Sequence, residues 1–174
     1  GTAAIYRVKH GKDMVAPDAS LPHATAYLRM VTGEMPNEQQ ADALEKYLAF
    51  KKTVFFGGKT ASEDSAETWE WDGTTWSQKS PATSPAARSG HAMAYDAVRN
   101  VTVLFGGFSN DGSNHFYSDT WEWNGSAWTQ RSVNGPSPRW GPSMAFDAGR
   151  GVSVLFGGYS FDGSNHYYGD TWEW

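Results

Sequence analysis

Thr102-Val103-Leu104-Phe105-Gly106-Gly107 is the middle one of three copies of a short motif, and the other copies occupy residues 53–58 and 153–158. A second motif, Thr-Trp-Glu-Trp, follows each copy and ends at Trp71, Trp123 and Trp174. Residues 88–123 align with residues 139–174 without a gap and are identical at 25 of 36 positions. Self-similarity at a fixed spacing of this size is typical of repeat architectures.

Each repeat unit carries the alternation of a β-sheet. Residues 101–105 place Val103 and Phe105 on one face and Leu104 on the other. The Thr-Trp-Glu-Trp motif predicts a further strand with its aromatic side chains on one face. Asp72-Gly73 and Asn124-Gly125 are typical of two-residue hairpin turns that need a positive φ. With another strand predicted at 88–95 and at 139–146, the unit is a four-stranded meander of about 50 residues.

Residues 53–174 resemble the kelch family of β-propellers. The resemblance implies a mainly β fold made of incomplete kelch-like blades preceded by a short α-helical segment. It also implies that the arginine-headed strands lie nearest the central channel and that the glycine pairs let neighbouring blades approach closely. It depends on the glycine pairs, on Asp119 and Asp170, and on the aromatic pairs Trp71/Trp76 and Trp123/Trp128, and the arginines it assigns to the channel are Arg88 and Arg139.

The strand count predicts that the blades do not close within one chain. The blades span 53–87 (partial), 88–138 (complete) and 139–174 (partial), which gives three, four and three strands. A closed propeller has at least four blades, so two blade faces would stay open. A symmetric homodimer that forms a six-bladed ring is the simplest closure. Ile5 to Val8 is our candidate for a strand lent to an incomplete blade.

Residues 1–52 form a separate segment with a different composition. All nine tryptophans and most glycines lie after this segment, and it carries 7 basic and 6 acidic side chains against 7 and 13 in the remainder. Ser20 is a candidate N-cap, and Gly33 is a candidate helix stop followed by Pro36. A second helix is predicted to begin at Asn37. We therefore expect two short helices within residues 20–50.

Residues 5–50 resemble a stretch of bacterial-type citrate synthases. The likeness covers Ile5-Tyr6-Arg7-Val8-Lys9-His10-Gly11, Ala16-Pro17-Asp18, residues 21–36 and residues 43–48. The catalytic histidine and aspartate motifs of that family have no counterpart in this sequence, so the resemblance implies scaffold only. An enzyme fragment joined to incomplete blades indicates a recombined or artificial chimera.

Composition excludes several function classes. The chain has 174 residues, a net charge of −5 and no cysteine. An acidic surface disfavours nucleic acid, and the absence of cysteine excludes disulfides and thiolate metal sites. No apolar run approaches the 18 residues that a membrane-spanning helix needs. We expect no cofactor, no nucleic-acid partner and no membrane partner.

The most polar repeated feature is a loop that occurs in two copies. Its carboxylate, amide and aromatic groups suggest a ligand-binding loop for Ca²⁺ or a sugar. The alternative is ordinary turn chemistry, in which Asp and Asn side chains bond their own backbone. The candidate ligand-binding residues are Asp111, Asn114, His115 and Tyr117 in one copy, and Asp162, Asn165, His166 and Tyr168 in the other.

Other polar residues predict structure rather than catalysis. The glutamates at 70, 122 and 173 occur once per repeat between tryptophans, and we interpret them as structural. The repeated Arg88/Arg139 and Asp96/Asp147 positions are assigned to ion pairs within the blades. We assign no catalytic residue and no metal ligand, and we expect the chain to be no enzyme. The leading hypothesis is a folded chimera without an evolved biochemical activity, and the alternative is a kelch-type module that binds a protein or glycan.

Overall fold

The computed structural model describes residues 5–7, 13–15 and 52–174, and the chain divides into two compact units, Gly1–Lys52 and Thr53–Trp174. In the first unit, strand β1 (Ile5–Arg7) pairs antiparallel with β2 (Asp13–Val15). The helices predicted within 20–50 lie outside the described residues. That the segment starting at Ile5 completes a blade stays a prediction.

The second unit is mainly β, with fourteen strands between residues 53 and 174, all in antiparallel pairs. Sheet I contains β3 (Thr53–Phe56), β4 (Thr68–Trp71) and β5 (Trp76–Lys79). Sheet II contains, in spatial order, β6 (Ala92–Asp96), β7 (Val101–Phe105), β10 (Thr120–Trp123) and β11 (Trp128–Arg131). Sheet III contains β12 (Ser143–Asp147), β13 (Val152–Phe156) and β16 (Thr171–Glu173).

Two short hairpins connect the second and third strands of sheets II and III. They are β8 (Phe108–Asn110) with β9 (Asn114–Phe116), and β14 (Tyr159–Phe161) with β15 (Asn165–Tyr167). The sequence predicted the three, four and three strands of the sheets, but it predicted these connections as loops. It also began two strands too early: β6 starts at Ala92 and β12 at Ser143, because the preceding Gly90 and Gly141 have φ of 61° and 66°.

The turn after the Thr-Trp-Glu-Trp motif contains four residues instead of the two predicted. In sheet I, the Trp71–Trp76 pair closes the hairpin, and Gly73 has the expected positive φ of 102°. The Asp72 carboxylate accepts hydrogen bonds from the backbone N–H groups of Thr74 and Thr75 at 2.8 and 2.9 Å. An aspartate that bonds its own following backbone holds the longer turn together.

Alternation along the strands gives each sheet two faces, and the sheets pack face to face. The rear face of sheet II carries Leu104 and Trp123, which pack against Phe56 of sheet I at the first junction. The forward face carries Phe105, which packs with Leu155 of sheet III at the second junction. Forward and rear denote the equivalent faces of all three sheets. Each internal junction therefore joins the forward face of one sheet to the rear face of the next.

The glycine pairs mark where successive sheets come closest. A Cβ on Gly57 would lie 2.6 Å from the Arg88 carbonyl oxygen, and one on Gly106 would lie 2.7 Å from the Arg139 carbonyl oxygen. Both glycines also have positive φ, at 62° and 70°. Only a residue without a side chain fits such an approach. Gly157 has the same backbone conformation, but the nearest atom to a Cβ at this position would be the Tyr168 carbonyl oxygen, at 3.4 Å.

Candidate functional site

The predicted ligand-binding loops are the tips of the two short hairpins. Asp111 and Asn114 lie exposed at the tip of β8–β9. In the other copy, His166 Nε2 lies 2.9 Å from Asp162 Oδ1, and this contact lowers the pKa of the Asp162 carboxyl. Asn165 Oδ1 accepts a hydrogen bond from the Tyr159 hydroxyl at 2.9 Å. The amide and carboxylate oxygens of this second tip thus have partners within the hairpin itself.

The two predicted tyrosines directly follow the short hairpins and are half-buried against arginine side chains. The Arg88 guanidinium lies 3.7 Å from the centre of the Tyr117 ring, which also contacts the His115 ring at 4.4 Å. The Tyr117 hydroxyl is 3.0 Å from Ser109 Oγ. The second copy repeats the arrangement, with Arg139 over Tyr168 at 4.0 Å. The structure therefore separates these tyrosines from the aspartates that were predicted to act with them.

Both cation–ring contacts extend an Arg–Asp pair whose arginine is fully buried. Arg88 is fully buried and donates to both carboxylate oxygens of Asp119, at 2.5 and 2.9 Å, and to the Gly106 carbonyl at 3.0 Å. Burial alone would raise the pKa of Asp119, but the guanidinium lowers it below its usual value. In the other copy, hydrogen bonds from Arg139 lower the pKa of Asp170 to about 2. Such bidentate pairs fix backbone positions, as the sequence predicted for these arginines.

The glutamate series is held by cations and indoles. Glu70 lies 3.1 Å from the Lys79 ammonium and accepts a hydrogen bond from Trp123 Nε1 at 3.0 Å. Glu122 pairs with Arg99 and Arg131. Every one of these partners neutralises a carboxylate or fixes its orientation. The arrangement supports the structural role predicted for the series.

One titratable group of the first junction was not singled out by the sequence. His91 packs edge to face against the Phe56 ring, with 5.6 Å between ring centres. Burial, reinforced by the positive charge of Arg88, lowers the pKa of His91 to about 4. A neutral histidine in this position is part of the packing between sheets I and II.

The forward face of sheet III exposes side chains whose counterparts are buried in the other sheets. Its Phe156 is 55% exposed, whereas the equivalent Phe56 and Phe105 are 1% and 0% exposed. Thr171 and Glu173 of the same face are exposed, although their counterparts in sheets I and II are buried. Side chains that the repeat buries elsewhere are therefore open at this end.

The rear face of sheet I is open in the same way. Phe55 is 48% exposed, whereas the equivalent Leu104 and Leu155 are fully buried. Trp76 is 50% exposed, whereas its counterpart Trp128 is 2% exposed. Exposed aromatic patches of this kind on a protein surface mark interaction sites.

Strand counting predicted that both end faces would be open, but it did not identify the residues. Aligning the three copies by register identifies them: a position that is apolar in every copy, and lies on a face without a neighbouring sheet, must be exposed. The signal was therefore present in the repeat. Using that signal requires knowing which face of each sheet packs against the next sheet, and periodicity alone does not show this.

Further observations concern metals, membranes and relatives. Among the described residues, no group of three histidine, aspartate or glutamate side chains is placed to hold a metal ion. No helix in the part that the structure describes has the length and hydropathy to cross a membrane.

No protein-family model matches the chain. No curated protein matches it with significance.

Proposed function

We propose that residues 53–174 are three successive kelch-type propeller blades, two of them incomplete, and that the chain is a structural module that closes by self-association. Two copies, joined head to tail, would form a six-bladed ring. The observation that carries the proposal is the exposure of Phe156, at 55%, beside two equivalent phenylalanines that are buried to 1% or less. Burial of exposed apolar surface is the main driving force for most protein–protein association.

The two open faces fit one another because they repeat the internal junctions. At the first junction, Phe56 packs against the Trp128 ring at 5.2 Å, and Trp128 Nε1 donates to Thr68 Oγ1 at 2.9 Å. The equivalent residues at the two open ends are Phe156 and Thr171 on sheet III and Trp76 on sheet I. In the ring, Trp76 of a second copy would therefore pack against Phe156 as Trp128 packs against Phe56 within the chain.

The tryptophan pair of sheet I already has the ring geometry of the pair that packs at the first junction. The Trp71 and Trp76 rings are 5.5 Å apart at 41°, and the Trp123 and Trp128 rings of the filled junction are 5.5 Å apart at 42°. Little rearrangement is needed on binding, which lowers the entropic cost of association. The strands that carry Leu104, Trp123 and Trp128 at the first junction have counterparts in sheet I, whereas β6, which contributes Met93, has none among the described residues.

The same observations favour a scaffold over an enzyme. The repeated arginines pair with repeated aspartates, as in Arg88–Asp119 and Arg139–Asp170, and these pairs stabilise the blades. We further propose that residues 1–52 are a citrate-synthase-like fragment joined to the blades, so that the chain is a chimera without an evolved biochemical activity.

Cysteine crosslinking tests the head-to-tail arrangement, since the chain has no cysteine of its own. Thr171→Cys places a thiol on the forward face of sheet III, and Thr53→Cys places one on the rear face of sheet I. A short bis-maleimide should link a mixture of the two variants into a covalent two-chain product. Each variant alone should give little of that product.

The control is Val98→Cys, because Val98 is 62% exposed in the turn between β6 and β7 and lies on neither open face. It should not crosslink to either variant. Efficient crosslinking of Thr171→Cys to itself would indicate a symmetric back-to-back contact and contradict the ring. No crosslinking of the mixture would contradict the proposal altogether.

A further inference from the structure

An open cavity of about 470 Å³ lies at the second junction, beside the outer edge of sheet III. Its lining includes Val103, Thr120 and Glu122 from the forward face of sheet II, and Trp174 from sheet III. Its volume lies within the range of ordinary ligand pockets. The cavity belongs to neither open face described above.

The first junction shows what fills the equivalent space. There, Trp128 at the start of the fourth strand of sheet II lies against sheet I, is 2% exposed and donates its indole N–H to Thr68 Oγ1. Sheet III has three strands among the described residues, with β16 at its outer edge. At the second junction, none of the described residues occupies the position that Trp128 occupies at the first.

The lining of the cavity retains the partner that an indole needs. Thr120 is the counterpart of Thr68 and is 3% exposed. Its Oγ1 is buried and has no hydrogen-bond partner among the described residues. A buried hydroxyl without a partner costs free energy, and native structures rarely tolerate one without a reason.

The apolar neighbours are repeated as well. Val103 and Phe105 stand where Val54 and Phe56 contact the indole-bearing strand at the first junction. At the second junction, Phe105 contacts Trp174 instead, with 5.6 Å between ring centres. Phe105 thus lacks the fourth-strand aromatic partner that Phe56 has.

We propose that this cavity and the adjoining edge of β16 form a binding site for an extended peptide strand that carries a tryptophan. The strand pairs with the free backbone groups of β16, as in β-strand addition to a sheet edge. Its indole enters the cavity and donates to Thr120 Oγ1. The site lies away from both open faces, so it does not depend on ring closure.

The test uses a synthetic peptide with the sequence of residues 124–132, Asn-Gly-Ser-Ala-Trp-Thr-Gln-Arg-Ser. Isothermal titration calorimetry of the full chain should show saturable binding of one peptide per chain. A peptide with alanine in place of its tryptophan should bind at least 10-fold more weakly. Thr120→Val should weaken binding of the first peptide about 5-fold or more.

Thr68→Val is the matched control, because it makes the same change at the filled junction. It should lower the thermal stability of the chain but leave peptide affinity unchanged, whereas Thr120→Val should leave stability unchanged or higher. Equal affinity of both peptides, or unchanged affinity in Thr120→Val, would overturn the proposal. So would absence of saturable binding.

Two further outcomes separate this site from self-association. Phe156→Ala should bind the peptide as the unchanged chain does, which supports a site independent of the ring. If peptide binding instead splits a two-chain assembly mole for mole, the natural occupant is a second copy, and the proposal of a separate peptide site is wrong. An unchanged chain that binds the peptide but never assembles would contradict only the ring.

Discussion

Replacing equivalent phenylalanines in sheets II and III by alanine should have opposite consequences. Phe105→Ala removes a side chain that is 0% exposed within the chain, and Phe156→Ala removes one that is 55% exposed. A buried phenylalanine truncated to alanine costs about 3–5 kcal/mol of stability. We therefore expect Phe105→Ala to destabilise the fold by about this amount and Phe156→Ala to change it by less than about 1 kcal/mol.

The dissociation constant of the assembly should respond in the reverse order, with Phe156→Ala having the larger effect. Burying a phenylalanine fully contributes about 1.5–3 kcal/mol, and Phe156 has about half of its surface left to bury, which gives about 0.8–1.5 kcal/mol per contact. A two-chain ring makes this contact twice, so Phe156→Ala should weaken it by about 1.5–3 kcal/mol. At 1.4 kcal/mol per factor of ten, the dissociation constant rises about 12- to 140-fold.

Two assays separate the effects. Urea denaturation at a concentration where all variants have the same mass gives the free energy of unfolding, and a sedimentation dilution series gives the dissociation constant. Equal destabilisation by the two variants would mean that Phe156 is covered within its own chain. An unchanged dissociation constant in Phe156→Ala would show that the forward face of sheet III is not the contact. Either result refutes the reasoning.

Three further predictions concern the stability of the sheets. Because the pKa of His91 is lowered from 6.5 to about 4, the unfolded state binds more protons than the folded state between these pH values. The free energy of unfolding should therefore fall by about 3 kcal/mol as the pH drops through this range. His91→Gln should remove that part of the pH dependence in denaturation series. Gly157→Ala should cost about 1–2 kcal/mol for its positive φ, and Gly106→Ala should cost clearly more, since its Cβ would also meet backbone at 2.7 Å; thermal melts compare the two. Arg88→Met leaves the Asp119 carboxylate without its cation, and we expect a loss of about 3–5 kcal/mol in chemical denaturation, with a smaller loss refuting a structural role for the pair.

The sequence predicted the sheets well because their signals are local and repeated. Alternation in 101–105 and the Thr-Trp-Glu-Trp motif specify strands and faces, and three copies confirm one another. The hairpins β8–β9 and β14–β15 were missed because strands of three residues show no periodicity beside the turn residues Asp111-Gly112. Strand β6 begins later than predicted because Gly90, with its positive φ, interrupts the extended backbone before it.

The candidate site was harder to predict because it depends on contacts between repeats. Turn chemistry drew attention to Asp111 and Asp162, which are exposed at or beside the hairpin tips. The exposed Phe156 ring and the unpaired Thr120 hydroxyl lie instead where no sheet or strand among the described residues covers them. Those residues look ordinary in the sequence, since their counterparts in other copies are buried and paired. Only the order of the sheets distinguishes them.

The mass of the unchanged chain in solution tests the central claim most directly. Light scattering over a range of concentrations should give about 38 kDa, twice the 19.1 kDa of one chain, with dissociation only on dilution. A folded species of one-chain mass at every concentration, with Trp76 still accessible to a fluorescence quencher, would contradict closure by self-association.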